Sequence, residues 1–461
     1  MAVQHGGTTA GRAGVGAALH GSGVGDAAAE AVRAGRSLME AVLSVDEVLE
    51  QVSFWRSPAR WFRSQQLGSG FWTFFWAAFF FDAGFAVYFF LFNLYLVDLG
   101  MGERAIGLIN GAVTFGSVCG TLPAGLLARR FGVRPVMLTC FVAAPIAGVL
   151  RVLWMQLPAQ LALAFLGGLA MCLWGICFLP VVSGLTTEGN RASAFSLIFS
   201  VSIGTGALGS MLCGYLPRLL HAMGMAQQPA EIKRGILIAA SVLAFAGLAF
   251  ALRVPAAANR SADGGMSGWW RSFRRNVLIR RLIPLMALWS AVIAAFTSFG
   301  SVYLARGLHL PLARIAIVFA ASQIVQLIAG LMTAPLFRAV GLRKGVAATQ
   351  VAVAVLLTLL ASVRQADAAT LLFLGISAAQ WMSSPGLYNL LMSGTPEEDR
   401  GAVAALAMFC NALVTTVATM LAGAGFASLG YPLMFFILAC AATLAGSVML
   451  RLRASQAEGV A

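Results

Sequence analysis

The chain has 461 residues, of which 59% are hydrophobic and only 10% are charged, and its formal net charge at pH 7 is +14. Soluble domains carry about 25% charged residues, so this composition indicates a polytopic membrane protein. We expect no nucleic-acid partner despite the positive charge, because most of the basic residues flank apolar segments, where membrane topology accounts for them.

Residues 1–69 precede the first long apolar segment. Residues 1–25 are rich in glycine and alanine without a continuous apolar run, which predicts disorder and does not resemble a secretory signal peptide. Residues 26–52 carry apolar side chains at helical spacing and predict an amphipathic helix on a surface or against a partner. Basic and aromatic residues alternate in 54–63, which is typical of an anchor at the lipid interface.

The first apolar segment, 71–97, has 27 residues, 14 of them aromatic, and is long enough to cross a bilayer. Asp82 lies near its middle, where an ionisable side chain costs on the order of 3 kcal/mol and therefore marks a candidate functional site. On a helix, Asp82 and Asn93 share one face. Because lipid would reject both side chains, this face is predicted to line a cavity.

Two roles remain open for Asp82. A carboxyl group in apolar surroundings can alternate between its neutral and charged forms, which suits proton coupling, and its charged form would suit a cationic substrate. The structural alternative is a hydrogen bond with a hydroxyl or an amide of a neighbouring span. Arg151 is not an evident partner, because it lies near the outer end of the third span, where we expect it at the interface.

Eleven further apolar segments predict an all-α membrane protein with twelve transmembrane helices in two six-helix bundles. Their approximate bounds are 104–128, 135–155, 159–182, 193–217, 235–252, 283–305, 313–337, 345–363, 369–392, 401–427 and 431–450. A basic linker, 253–282, separates the predicted bundles 70–252 and 283–452, and a short tail follows at 453–461.

Lysine and arginine predict the orientation. With the N-terminus in the cytoplasm, 23 of the 31 basic residues fall on the cytoplasmic side, which also places the linker and the C-terminus there. The arginine-rich composition and the lack of a targeting signal favour a bacterial inner membrane, and we expect a monomer.

The two halves contain an internal repeat. Three pairs of landmarks are each 209 residues apart: Gly132 and Gly341, Arg134 and Arg343, and Arg191 and Arg400. Because each half has an even six spans, the two copies share one orientation, which is a transporter architecture.

This layout and the loop after the second span resemble the major facilitator superfamily. The loop signature of that family has a glycine, an acidic residue, a basic residue and a second glycine followed by more basic residues. This chain has GLLARRFGVR from Gly125 to Arg134, with Arg129 in the acidic position. The resemblance implies a cytoplasmic gate formed by both loop copies. Its candidate residues are Gly125, Arg130, Gly132, Arg134, Arg338, Gly341 and Arg343.

The resemblance also implies a central cavity lined by spans one, two, four, five, seven, eight, ten and eleven. The candidate coupling or substrate residues in these spans are Asp82, Asn93, Asn110, Gln323, Gln326, Gln380, Asn389 and Asn411. With Trp289, Thr297 and Thr415 they predict a mostly neutral pocket for an amphipathic or lipophilic organic solute. The alternative for each polar residue is a hydrogen bond between helices, worth about 0.6–2 kcal/mol.

The predicted function is secondary transport of a small organic solute by alternating access, coupled to protons through Asp82. A non-transporting receptor or scaffold, with residues 1–69 as its partner-binding element, and a lipid flippase are the alternatives. The sequence has no GxxxxGK[ST] loop and no Ser/His/Asp or Cys/His constellation, so we expect neither an ATP-driven pump nor an enzyme. No cofactor and no metal site are expected.

Overall fold

The computed structural model describes residues 67–222, 228–255, 277–395 and 400–452. The predictions for residues 1–66, for the middle of the linker and for the tail lie outside these ranges. Within them the chain forms helices and no strand.

Twelve helices follow one another in the described ranges. They are α1 (Ser69–Asp98), α2 (Glu103–Phe131), α3 (Val133–Leu153), α4 (Leu157–Leu185), α5 (Glu188–Ala222), α6 (Pro229–Ala251), α7 (Val277–Val302), α8 (Leu312–Val340), α9 (Leu342–Ser362), α10 (Ala366–Ser393), and the two parts of Arg400–Arg451, α11 and α12. The break between α11 and α12 is Gly430, whose φ of 76° and ψ of 170° are not helical. A π-helical turn, Tyr303–Gly307, extends α7.

The helices agree with the predicted spans, with shifted boundaries in three helices. α5 extends from Glu188 to Ala222 rather than over 193–217, and α6 begins at Pro229 rather than at 235. α7 begins at Val277 rather than at 283, so the last residues of the predicted linker belong to a helix. By length and hydropathy, nine of the described segments can cross a membrane, or ten if the two parts of the bent α2 count as one span. α10 is not among them, since its amides and hydroxyls lower its hydropathy.

The N-terminal half is built around the aromatic rings of α1. The ring of Phe81 lies 4.6 Å from that of Phe141 on α3 and 5.1 Å from that of Trp174 on α4. Phe74, on the same side of α1, stacks on Trp174 at 5.9 Å. Lipid tails are as apolar as these rings, so dispersion and ring geometry stabilise the contacts rather than removal from water.

The repeat is confirmed in the backbone. Gly132 between α2 and α3 has a φ of 89°, and Gly341 between α8 and α9 has a φ of 88°, values that favour glycine. Arg134 Nη2 donates to Leu252 O at 2.6 Å, and Arg343 Nη1 donates to Leu452 O. In each half, therefore, the repeated arginine joins the start of the third helix to the end of the sixth.

Glycines allow the two halves to approach closely. A Cβ on Gly107 of α2 would lie 2.7 Å from Gly423 Cα of α11, which leaves no space for a side chain. On α5, a Cβ on Gly214 would collide with Ala316 of α8. The α2–α11 and α5–α8 contacts thus depend on small residues, as is usual between membrane helices.

Candidate functional site: an inter-half latch and a polar cavity

Polar contacts join the halves at the end of the bundle where α1 ends and α2 begins, here called the α1–α2 end. Glu103 Oε1 at the start of α2 lies 3.1 Å from Arg306 Nη1 in the π-helical turn after α7. Tyr431 OH at the start of α12 donates to the same carboxylate oxygen at 2.9 Å. Arg306 Nη2 also donates to Met101 O at 2.7 Å. We call Glu103, Arg306 and Tyr431 the latch.

A second layer of contacts lies deeper in the bundle than the latch. Asn93 Nδ2 on α1 donates to Ser298 O on α7 at 3.1 Å, and Asn110 Nδ2 on α2 donates to Asn93 Oδ1 at 3.3 Å. Both amides are predicted to line a substrate pocket. In this conformation Asn93 links the two halves, and Asn110 binds Asn93 from within the N-terminal half.

Asp82 lies at a narrow crevice between α1 and α5. Ser202 Oγ on α5 donates to Asp82 Oδ2 at 2.8 Å, which is the inter-helix bond that the structural alternative predicts. The crevice is bordered by Phe75 and Phe79 on α1 and encloses about 10 Å³. That space suits about one water molecule and is too small for an organic solute in this conformation.

The C-terminal half contains a larger polar cavity of about 310 Å³ between α7, α10 and α11. Its polar lining comes from an indole, an amide and several hydroxyls, and no lining residue carries a formal charge. They include Trp289, Ser290, Thr297, Ser384, Asn411 and Thr415. The lining residues of α7 and α11 lie near the middle of those helices, and those of α10 lie towards its end at Ser393. The cavity is thus displaced from the latch towards the opposite end of the bundle, where α2 ends and α3 begins.

Two atoms of this site lack a protein partner. Trp289 Nε1 and Asn411 Oδ1 are buried, and neither forms a hydrogen bond with any described residue. Buried polar groups are usually satisfied, so this free donor and this free acceptor are available to bond to a ligand in the cavity.

Comparison with known proteins now fixes the family. The sequence profile described as Major Facilitator Superfamily matches residues 74–419. The chain belongs to the Major Facilitator Superfamily. Curated protein sequences give no match.

Solved structures of this superfamily share its fold at low identity. The nucleoside transporter NupG gives a TM-score of 0.71 at 14% identity, over 83% of this chain and 98% of NupG. A D-xylose–proton symporter gives 0.65 at 15% identity, over 82% and 95% of the two chains. The xylose transporter XylE from E. coli, in an inward-open conformation, gives 0.63 at 16% identity, over 84% and 96%.

The other predicted cavity residues of this superfamily member do not line the 310 Å³ cavity. A Cβ on Gly206 of α5 would lie 2.6 Å from Gln323 Nε2, so Gln323 faces the other half at the α5–α8 contact. Gln326 is half-buried on the same helix, Gln380 is buried in α10, and Asn389 is exposed. Of the eight predicted residues, Asn411 alone lines this cavity.

The predicted gate residues divide into two groups. Arg134 and Arg343 donate to carbonyls of their own halves, so the contacts described above give them a role within each half. Arg130 and Arg338 are exposed, and the Arg130 guanidinium lies 5.3 Å from the ring centroid of Phe131. Arg129, in the acidic position of the family signature, is exposed as well.

Arg151 is buried although it lies near the end of α3. It is 6% exposed, with its guanidinium carbon 4.1 Å from the ring centroid of Phe92 on α1. Gln160 Nε2 donates to Arg151 O, which fixes the adjoining backbone. A desolvated cation over an aromatic ring is worth about 2 kcal/mol, which favours this burial beside the aromatic α1.

Sequence reasoning missed the latch. Glu103 and Tyr431 are 328 residues apart, and charged residues at the ends of spans are ordinary. An acid and an arginine at the same end of opposite halves were the only signal.

A third cavity, of about 590 Å³ between α2, α3 and α4, has an apolar lining apart from Thr139, so it offers little to a polar solute. In the described ranges no group of His, Cys, Asp or Glu residues could hold a metal ion.

Proposed function

We propose that this chain is a secondary transporter that moves a small organic solute across a membrane by alternating access. The observation that carries the proposal is the separation of the two features above. Polar contacts hold the halves together at the α1–α2 end, whereas the uncharged polar cavity is displaced towards the opposite end. A site that is closed at one end suits a carrier whose halves 70–252 and 283–452 rock about it.

The orientation predicted from the basic residues assigns each end of the bundle to one side of the membrane. With both termini in the cytoplasm, the latch lies at the outer surface and the cavity is displaced towards the cytoplasm. The proposed state is therefore inward-facing, and opening to the outside requires Glu103 to separate from Arg306 and Asn93 from Ser298.

Asp82 is proposed as the coupling carboxylate. It is the carboxylate of α1 at membrane depth, and its hydroxyl partner, Ser202, is on α5. Because protonation of Asp82 would change this α1–α5 contact, the proton would act on helix packing rather than on the solute directly. One fold neighbour is a D-xylose–proton symporter, which is compatible with this coupling.

Counterflow into proteoliposomes tests the proposal. Vesicles that contain the purified full chain and an excess of an unlabelled solute should accumulate the same labelled solute, with D-xylose and uridine as the first probes of an uncharged panel. A matched variant, Gly107→Leu, cannot pack α2 on α11 as the wild type does and should lose flux. Flux no greater than that of empty vesicles with every solute, neutral or charged, would contradict transport.

A further inference from the structure

We propose that the cavity of the C-terminal half selects an uncharged solute through one directional pair, in which Trp289 Nε1 donates to the solute and Asn411 Oδ1 accepts from it. The inference rests on the proposed function and specifies its substrate class. The solute presents both a hydrogen-bond acceptor, such as a carbonyl or a hydroxyl oxygen, and an N–H or O–H donor.

The protein leaves both groups free. Trp289 is 1% exposed, and its indole nitrogen can only donate. The Asn411 carbonyl oxygen can only accept, and neither atom has a partner among the described residues. A buried donor or acceptor without a partner destabilises a fold, so a solute that bonds to both atoms would gain affinity from this site.

One lining hydroxyl is already engaged. Thr297 Oγ1 donates to Ile293 O of its own helix at 2.8 Å, so its proton is committed to the backbone. The indole N–H of Trp289 has no partner among the described residues, and the ring fixes the direction in which it donates.

The charge and the size of the cavity also restrict the solute. The lining residues carry no formal charge, so an ionised solute would lose its hydration without a counter-charge. The carboxylate of Asp82 belongs to a crevice of about 10 Å³ bordered by α1 and α5 residues. The cavity volume of about 310 Å³ is near the lower limit of about 300 Å³ for small-molecule sites, which suits a solute of sugar or nucleoside size.

Binding to the full chain, purified in detergent, tests the inference by calorimetry. The neutral probes are a panel of sugars, nucleosides and lactams that includes D-xylose and uridine, and the charged probes are D-glucuronate and uridine monophosphate. We expect a neutral probe to bind at least about tenfold more tightly than its charged counterpart, because an unpaired charge is costly to bury.

Two variants examine the directional pair. Trp289→Phe removes the N–H and keeps a ring, and Asn411→Leu removes the amide at similar size. Each should weaken binding of the neutral probe about tenfold or more. Trp174→Phe is the matched control, because Trp174 stacks on Phe74 in the other half and does not line the cavity. It should change the affinity less than twofold.

Several outcomes would overturn the inference. They are equal binding of charged and neutral probes, an unchanged affinity in Trp289→Phe, an equal loss in Trp174→Phe, and no binding by any neutral probe. Counterflow separates this failure from failure of transport. Flux of a charged solute would reject the inference and support the transport function. Trp289-dependent binding of a neutral solute without flux would support the inference and contradict transport.

Discussion

The two halves have the same helical framework but different interiors. In both, a glycine with positive φ joins the second helix to the third, and an arginine bound to a terminal carbonyl holds the third helix to the sixth. Inside, the N-terminal half holds Asp82, satisfied by Ser202 in a crevice of about 10 Å³. The C-terminal half holds a cavity of about 310 Å³ with a free donor and a free acceptor.

This contrast shows which parts of a repeat are fixed by backbone geometry. In both copies the turn needs a residue that tolerates positive φ, and glycine supplies it. In both copies a helix-end carbonyl needs a hydrogen-bond donor, and arginine supplies it. The helix interiors have no such common requirement. This difference is compatible with the roles proposed above, in which the N-terminal half serves proton coupling and the C-terminal half binds the solute.

The largest expected effect concerns the interior of the N-terminal half. Asp82→Asn keeps the shape of the side chain but cannot exchange a proton, so proton-driven accumulation should be abolished while counterflow continues. Ser202→Ala, which keeps the carboxyl group, is the matched variant and should have a smaller effect. Uptake driven by a pH gradient measures both. Unchanged accumulation and pH dependence in Asp82→Asn would leave Asp82 with a structural role alone.

The next effect tests whether the framework is equivalent in the two halves. Arg134→Ala and Arg343→Ala each remove a charged donor from a helix-end carbonyl, which should cost about 1.5–3 kcal/mol of stability. Melting temperatures in detergent should fall by similar amounts in both variants. The exposed Arg338 provides the control, and Arg338→Ala should change stability by less than about 0.5 kcal/mol. A large loss in one half only would refute the equivalence.

A slightly smaller effect is expected at the repeated glycines. Gly132→Ala and Gly341→Ala force a side chain into an extended positive-φ conformation, with φ of 89° and 88° and ψ of 162° and 139°, which costs about 1–3 kcal/mol. The matched control is Gly68→Ala, because the Cβ would meet nothing within 4 Å and φ is −67°. Thermal unfolding should show the loss in the first two variants, and an equal loss in the control would show that strain is not its cause.

The smallest effect concerns the contact between the halves. Glu103→Gln weakens a partly exposed ion pair, so it should shift the balance towards an open α1–α2 end by about 1 kcal/mol, roughly fivefold in population. Spin labels at Leu99 and Leu429, with the exposed Cys119 and Cys440 replaced by serine, measure the separation. Tyr431→Phe removes one hydrogen bond and should shift it less. No change in the distance distribution would show that the latch does not hold this end.

The features predicted well from the sequence are those that contiguous residues encode. The aromatic run at 71–97 required a helix spanning the membrane, and α1 confirms it. The shared spacing of Gly132 and Gly341 indicated a repeat, and their backbone angles agree. The family followed from the same spacing and from the loop signature, and the profile match confirms it.

The arrangement of the polar side chains was not predictable in this way. In this conformation Asn93, predicted to face a solute, bonds Ser298 of the other half, and Asn110 bonds Asn93. Arg151, near the end of α3, is buried against Phe92. Each position depends on which neighbouring helix faces the residue, and hydropathy contains no information about that choice.

The sequence by itself thus determined that this chain crosses the membrane repeatedly and that it consists of two equivalent halves, because hydropathy and backbone constraints act over a few turns of helix. Tertiary structure alone decided that Glu103 meets Arg306 and Tyr431, and that Trp289 and Asn411 border one cavity without protein partners. These contacts join residues more than a hundred positions apart, so they are set by helix packing rather than by local sequence.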